Sequence, residues 1–122
     1  MAASLTAGTI VALTHGVRKV PLTWVSASDG TVSLTFTLPG GELLHMVTDP
    51  DGSAAPTDNY DIEILDPLSV DILGGNGANR DTANNEAAAP AISRRYCEAG
   101  TYTLSVTNAG DTKGGVITLD VR

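Results

Sequence analysis

Between residues 31 and 38 the chain reads Thr-Val-Ser-Leu-Thr-Phe-Thr-Leu, with an apolar side chain at every even position and a hydroxyl at every odd one. Successive side chains of a β-strand point to opposite faces, so this run predicts a strand with one face for a core and one for water. Residues 101–107, Thr-Tyr-Thr-Leu-Ser-Val-Thr, repeat the pattern. Val20, Leu22 and Trp24, then Tyr60, Ile62 and Ile64, then Ile117, Leu119 and Val121, alternate in the same way with polar residues or proline.

Turn-forming clusters separate these runs: Ser28-Asp29-Gly30, Pro39-Gly40-Gly41, Asp49-Pro50-Asp51-Gly52 and Asn108-Ala109-Gly110-Asp111. Together they predict about eight short strands, near residues 9–14, 20–27, 31–38, 42–48, 59–65, 70–73, 101–107 and 115–121. Strands at this spacing imply an all-β protein, an antiparallel β-sandwich or jelly-roll-like barrel of about 7–8 short strands. Pro21 cannot donate to a ladder and is expected on an edge strand. The best helix candidate is residues 81–89, where Asp81 could cap a turn or two before Pro90, although no apolar stripe of helical period accompanies it. The expected organisation is a single β domain over 1–122, with a short N-terminal arm at 1–9 and a long loop at 74–99. Long loops in compact domains are commonly functional, so partner contacts are expected on that loop or on the arm.

A chain of 122 residues is large enough to bury a core without staples. Trp24, Phe36, Tyr60, Tyr96 and Tyr102 are its only aromatics, which leaves a thin core to aliphatic residues and favours burial against further copies or a partner. Cys97 stands alone, so no internal disulfide forms and nothing points to an oxidising compartment. The first residues contain no basic group ahead of their apolar stretch, a poor match to a signal peptide, and no apolar run is long enough to span a membrane. Charge is uneven. Residues 49–86 hold nine acids and one base, Arg80, for 1 − 9 = −8, whereas the remainder sums to 6 − 5 = +1. DNA phosphates would be repelled by the middle of the chain, and the pairs Arg18-Lys19 and Arg94-Arg95 form no basic stripe, so nucleic acid is not an expected partner.

Several constellations invite chemistry and each has a plainer explanation. Gly74-Gly75-Asn76-Gly77-Ala78 contains G-x-G after a predicted strand, but Arg80 stands where the third glycine of a dinucleotide fingerprint belongs and no amphipathic helix follows. Positive-φ glycines in a tight loop account for it better. Asp49, Asp51, Asp58 and Asp61 could offer oxygens to calcium, yet the EF-hand spacing and its closing glutamate are missing. His15 and His45 are remote from each other with no cysteine pair nearby, and Cys97 has no local signature of a nucleophile. No G-x-S-x-G elbow is present, and Asp61 and Glu63, on one strand face, read as surface charge. The expectation is a protein that is not an enzyme, with no cofactor and no metal.

Three groups of residues carry a family resemblance: Thr57-Asp58-Asn59-Tyr60-Asp61, then Val70-Asp71-Ile72-Leu73, and above all Gly77-Ala78-Asn79-Arg80-Asp81. A second stretch runs from Leu104-Ser105-Val106-Thr107-Asn108-Ala109-Gly110 through Lys113-Gly114-Gly115 to Arg122. These segments, about half of the chain, resemble small virion structural proteins of tailed bacteriophages, of the capsid-decoration or head-associated type. The chain departs from that pattern at Asp66-Pro67-Leu68-Ser69, where an acidic glycine-containing turn is usual, and at Arg94-Arg95-Tyr96-Cys97-Glu98.

The resemblance implies a capsid decoration (cement) protein on the outer capsid surface of the virion, assembled in the host cytoplasm. Its implied partner is the phage major capsid protein; the thin aliphatic core and lattice symmetry add further copies of the chain, as a homotrimer at three-fold positions, and neither nucleic acid nor membrane is an expected partner. Gly74, Gly75, Asn76, Gly77, Asn79, Arg80 and Asp81 are the loop and interface candidates. A tail, baseplate or head-fibre component is the alternative. A host-surface or glycan-binding module ranks below both, because so few aromatics are available to stack on sugars.

Overall fold

A computed structural model describes residues 1–94 and 96–122 and is almost entirely β. The described residues form ten strands: β1 (Ser4–Ala7), β2 (Val11–Ala12), β3 (Arg18–Val25), β4 (Val32–Leu38), β5 (Gly41–Pro50), β6 (Asp61–Leu65), β7 (Glu86–Ala88), β8 (Tyr96–Cys97), β9 (Gly100–Thr107) and β10 (Gly114–Val121). Two short 3-10 turns, Thr14–Gly16 and Ile92–Arg94, are the helical content of the described residues. Among the described residues no helix is long and apolar enough to cross a membrane.

All pairings are antiparallel and they make two sheets. The larger runs β1-β3-β10-β5-β7, with β2 added beside β3 and β8 beside β5. The smaller is β4-β9-β6. The alternation read from the sequence sets which sheet faces meet. Val20, Leu22, Trp24, Ile117 and Leu119 from the large sheet share one buried cluster with Val32, Phe36, Ile62, Ile64, Leu104 and Val106 from the small one. Removing a Leu or Ile side chain from water stabilises by roughly 1.5–3 kcal/mol, so this shared face decides the register of every long strand. On β5 both Leu43 and Met46 are buried, which a strict period of two forbids. The register accounts for it: Asp120 lies opposite His45 and Val121 opposite Leu43, so Leu44 is an extra residue in a bulge.

Six expectations change. Pro21 lies within a strand flanked on both sides, since β3 pairs with β10 on one side and with β1 and β2 on the other. The fold tolerates it because β1 ends opposite Leu22 and β2 begins opposite Lys19. The Pro21 carbonyl accepts the Gly8 amide at 2.9 Å, so its nitrogen also faces this break, where a donor is not needed. The N-terminal arm is partly ladder, because Ser4–Ala7 forms β1. The strand expected at 70–73 is a single bridge, Leu65 to Asp71, followed by turns. The turn capped by Asp81 exists, but the chain beyond it becomes β7 instead of a helix, because only a ladder with β5 buries Ala88. The loop expected over 74–99 therefore contains β7, a 3-10 turn and β8. The strand near 9–14 shrinks to Val11–Ala12. Of the Arg94-Arg95 pair, Arg95 lies outside the described residues.

Candidate functional site

The segment bearing the resemblance folds as a clasp along the outer edge of β6. An unpaired strand edge presents amides and carbonyls that must find partners. Here the chain returns and supplies them. Arg80 donates its amide to the Tyr60 carbonyl at 2.7 Å, and the Asn59 amide bonds the Arg80 carbonyl at 2.9 Å. One step along, the Ile62 amide reaches the Gly77 carbonyl at 2.9 Å. Further on, the Ile64 amide is bonded by the Asp71 carboxylate at 3.1 Å, and the Ile64 carbonyl accepts the Ile72 amide at 2.9 Å.

Carboxylates pin each bend of the clasp. Asp66 Oδ1 accepts the amides of Leu68 and Val70 at 2.9 and 3.0 Å. Asp71 accepts Leu73 through Oδ1 at 3.0 Å and Gly75 through Oδ2 at 2.9 Å. Asp61 takes the Asn79 amide at 3.0 Å and, through its other oxygen, the Asn108 side chain at 2.7 Å. Asp81 Oδ1 accepts Ala83 and Asn84 at 2.7 and 2.9 Å, while Glu86 accepts the Asp81 amide at 2.8 Å. The contacts of Asp66, Asp71 and Asp81 to the amides that follow them are Asx-type turns, in which a short carboxylate replaces a backbone acceptor. The amides of Ala83, Ser53 and the Thr31 hydroxyl, respectively, are the main groups that hold Asp81, Asp51 and Asp29 below the usual aspartate range.

The seven candidate residues thus divide by role. Gly74 and Gly75 turn the chain with φ of +57° and +86°, a conformation other residues adopt at a cost. Gly77 does not have positive φ. It is needed for space, since a Cβ there would run into the Ile62 carbonyl and the Leu73 side chain. Asn76 ties the turn down through the Ala89 carbonyl at 3.0 Å, and Asn79 occupies the left-handed region at +56°. Arg80 bends inward: its Nε and Nη2 both bond the Ala78 carbonyl at 3.1 Å, and Nη1 lies 3.6 Å from Glu86. Arg80, Asp81 and Glu86 are brought together, whereas Gly74, Gly75 and Asn76 stand apart on the exposed turn.

Beneath the clasp, Tyr60 is buried with its ring centroid 5.8 Å from that of Trp24. Burial pushes its phenol above the ordinary tyrosine range. Asp71, Asp61, Glu86 and Tyr60 were not among the candidates, although each organises the site. A signal for Asp71 exists in the sequence, as an aspartate with glycines three and four residues later, the composition of a turn.

Other constellations resolve into structural roles. Asp51 accepts the amides of Ser53 and Ala54. His45 Nε2 and Lys19 Nζ flank the Asp120 carboxylate at 2.6 and 2.9 Å in one row across three strands of the large sheet. His15 is exposed in the 3-10 turn Thr14–Gly16. Among the described residues no group of three or more His, Cys, Asp or Glu side chains is placed to hold a metal ion.

Two hollows stand out among the described residues. A groove of about 280 Å³ lies over β3, β10 and β5, lined by Thr23, Val25, Asp49, Pro50 and Val116. A cleft of about 190 Å³ separates the Asp66 turn from β8, with Ile72 and Tyr102 among its lining residues. Leu68 and Tyr96 at its rim are 82% and 77% exposed, and the two segments that depart from the phage pattern meet there. A second apolar ledge, Ile10, Val11 and Leu13, is exposed beside β2.

No family model matches this chain, and no curated protein matches it.

Proposed function

We propose that the chain is a structural protein of a tailed-phage virion, a capsid decoration protein that binds the outer surface of the shell as a homo-oligomer. The observation that carries this reading is the clasp. Its polar side chains, which give the segment its resemblance to virion proteins, are turned onto the chain's own backbone, where they fix one edge of the small sheet. What that leaves outward on the turns is a run of uncharged residues, Gly74, Gly75, Asn76, Asn79, Ala83, Asn84 and Asn85, beside the exposed carboxylates of Asp58 and Glu63 and exposed apolar groups at Leu68, Val70, Ile92 and Tyr96. Such a surface suits contact with another protein through shape and apolar area.

The mechanism is mass action. A protein that binds the intact lattice and not separated capsomers adds its binding free energy to whatever opposes rupture. The major capsid protein is the partner this requires. Copy number in purified particles tests the placement: hundreds of copies distributed over the head support it, whereas a few copies confined to the tail, baseplate or a fibre favour the alternative assignment.

A further inference from the structure

Sheet edges are the places where a β-protein can still form backbone bonds, and the edges of this one are unequal. On the large sheet they are short: β1 has 4 residues, β7 has 3 and β8 has 2. On the small sheet the β6 edge is sealed by the clasp. The opposite edge is β4, with 7 residues paired to β9 on one side only. Among the described residues no turn, loop or side chain donates to or accepts from the β4 backbone on its other side, and β1 comes near from the opposite sheet without forming a ladder.

Nor does β4 carry any of the devices that blunt an edge. Its sequence, Val-Ser-Leu-Thr-Phe-Thr-Leu, has no proline, no charge and no glycine, and its ladder with β9 has no bulge. We propose that this edge is a self-association site, at which β4 of one copy pairs antiparallel with β4 of a second copy about a two-fold axis through Thr35. This rests on the reading of the chain as a self-associating structural protein, and names the contact.

A second copy of the same strand fits this edge. Centred on Thr35, the pairing sets Ser33 against Thr37, Leu34 against Phe36 and Val32 against Leu38 of the second copy. Residues of equal parity meet, so the apolar row stays on the core face and the hydroxyl row on the outer face across the seam. All seven residues pair, the half-buried Leu34 becomes covered, and two three-stranded sheets become one of six strands. Charge favours the same place. The chain carries a net −7 and repels its own copies, yet none of its acids lies on β4. The seam is one strand long, small beside the roughly 1,600 Å² of a standard interface, so it is weak in dilute solution and gains where copies are held close on a surface. The contact is two-fold and gives a dimer, in place of the trimer expected from shell symmetry.

Sedimentation equilibrium of the full chain from about 10 µM to about 1 mM tests this together with Thr35→Lys and Thr35→Glu. Thr35 is exposed, so both variants should fold, which Trp24 fluorescence verifies. The parent should reach a monomer–dimer equilibrium, and each charged variant alone should dimerise at least about tenfold more weakly, because like charges meet at the axis. An equimolar mixture of the two should recover the parent's association. A parent that stays monomeric at the highest concentration, a parent trimer, charged variants that associate like the parent, or a mixture that fails to recover would each overturn the inference. The experiment involves no shell, so its failure is separable from that of the decoration reading.

Discussion

The Asp71 carboxylate accepts the Ile64 amide at 3.1 Å, standing at the point on the β6 edge where a neighbouring strand would place a carbonyl. The same carboxylate holds the amides of Leu73 and Gly75, so one side chain joins a sheet edge to the turn that covers it. Replacing Asp71 by alanine should therefore destabilise the fold by about 2–3 kcal/mol, since the buried Ile64 amide loses its acceptor. Asp71→Asn should fall between, because it retains one oxygen and presents a second donor to Gly75. Urea unfolding measures both, and amide exchange at Ile64 should accelerate in the alanine variant beyond what the global loss explains.

Two glycines of the same turn should respond in opposite ways to size. Gly77→Val should cost about 3 kcal/mol or more, because its side chain would meet the Ile62 carbonyl and Leu73 in a closed space. Gly75→Ala should cost only about 1–2 kcal/mol, through backbone strain at φ +86° with open space around the new methyl. Thermal unfolding of the two variants gives the ranking; equal losses would mean that Gly77 is not packed against β6.

Much of this fold is written in the alternation of its long strands. Residues 31–38 and 101–107 show period two because each has one face on the shared core, and the strands form where the pattern places them. The short strands β7 and β8 carry no such pattern. Glu86-Ala87-Ala88 becomes a strand because β5 has an open edge beside it, a fact of tertiary structure that three residues cannot encode. Val70-Asp71-Ile72-Leu73 failed in the opposite direction. It alternates like a strand, yet Asp71 bonds Leu73 and Gly75 within its own turn, and local side-chain bonding displaced the ladder. At the candidate site the glycines were legible as turn formers, whereas the inward course of Arg80 depended on the Ala78 carbonyl and Glu86 arriving from elsewhere in the fold.

Acid should erode stability in a narrow window. Asp29, Asp51 and Asp81 are held below the ordinary value of 3.8 by hydrogen bonds to their ionised forms. A lowered folded value means that the contribution is complete above the unfolded value and disappears as pH falls through the folded one. Urea midpoints should thus be insensitive to these groups near neutrality and decline below about pH 4. All three carboxylates are exposed, so salt should reduce the effect.

At the alkaline end the sign reverses. Burial raises the Tyr60 phenol above 10.0, so the neutral ring favours the folded state. That contribution is full below the unfolded value and is lost as pH rises through the folded one. Tyr60→Phe should flatten the alkaline limb of the stability profile while retaining the contact with Trp24, and an unchanged limb would place the controlling group elsewhere.

The proposed reinforcement of a shell is read out by the temperature at which particles release their packaged DNA. Particles assembled without the chain should package and then release DNA at a lower temperature than complete ones, and purified chain added back should restore the difference in proportion to the copies bound. Full thermal resistance in particles lacking the chain, accompanied by loss of tails or of adsorption, would contradict the account and assign the protein to the tail.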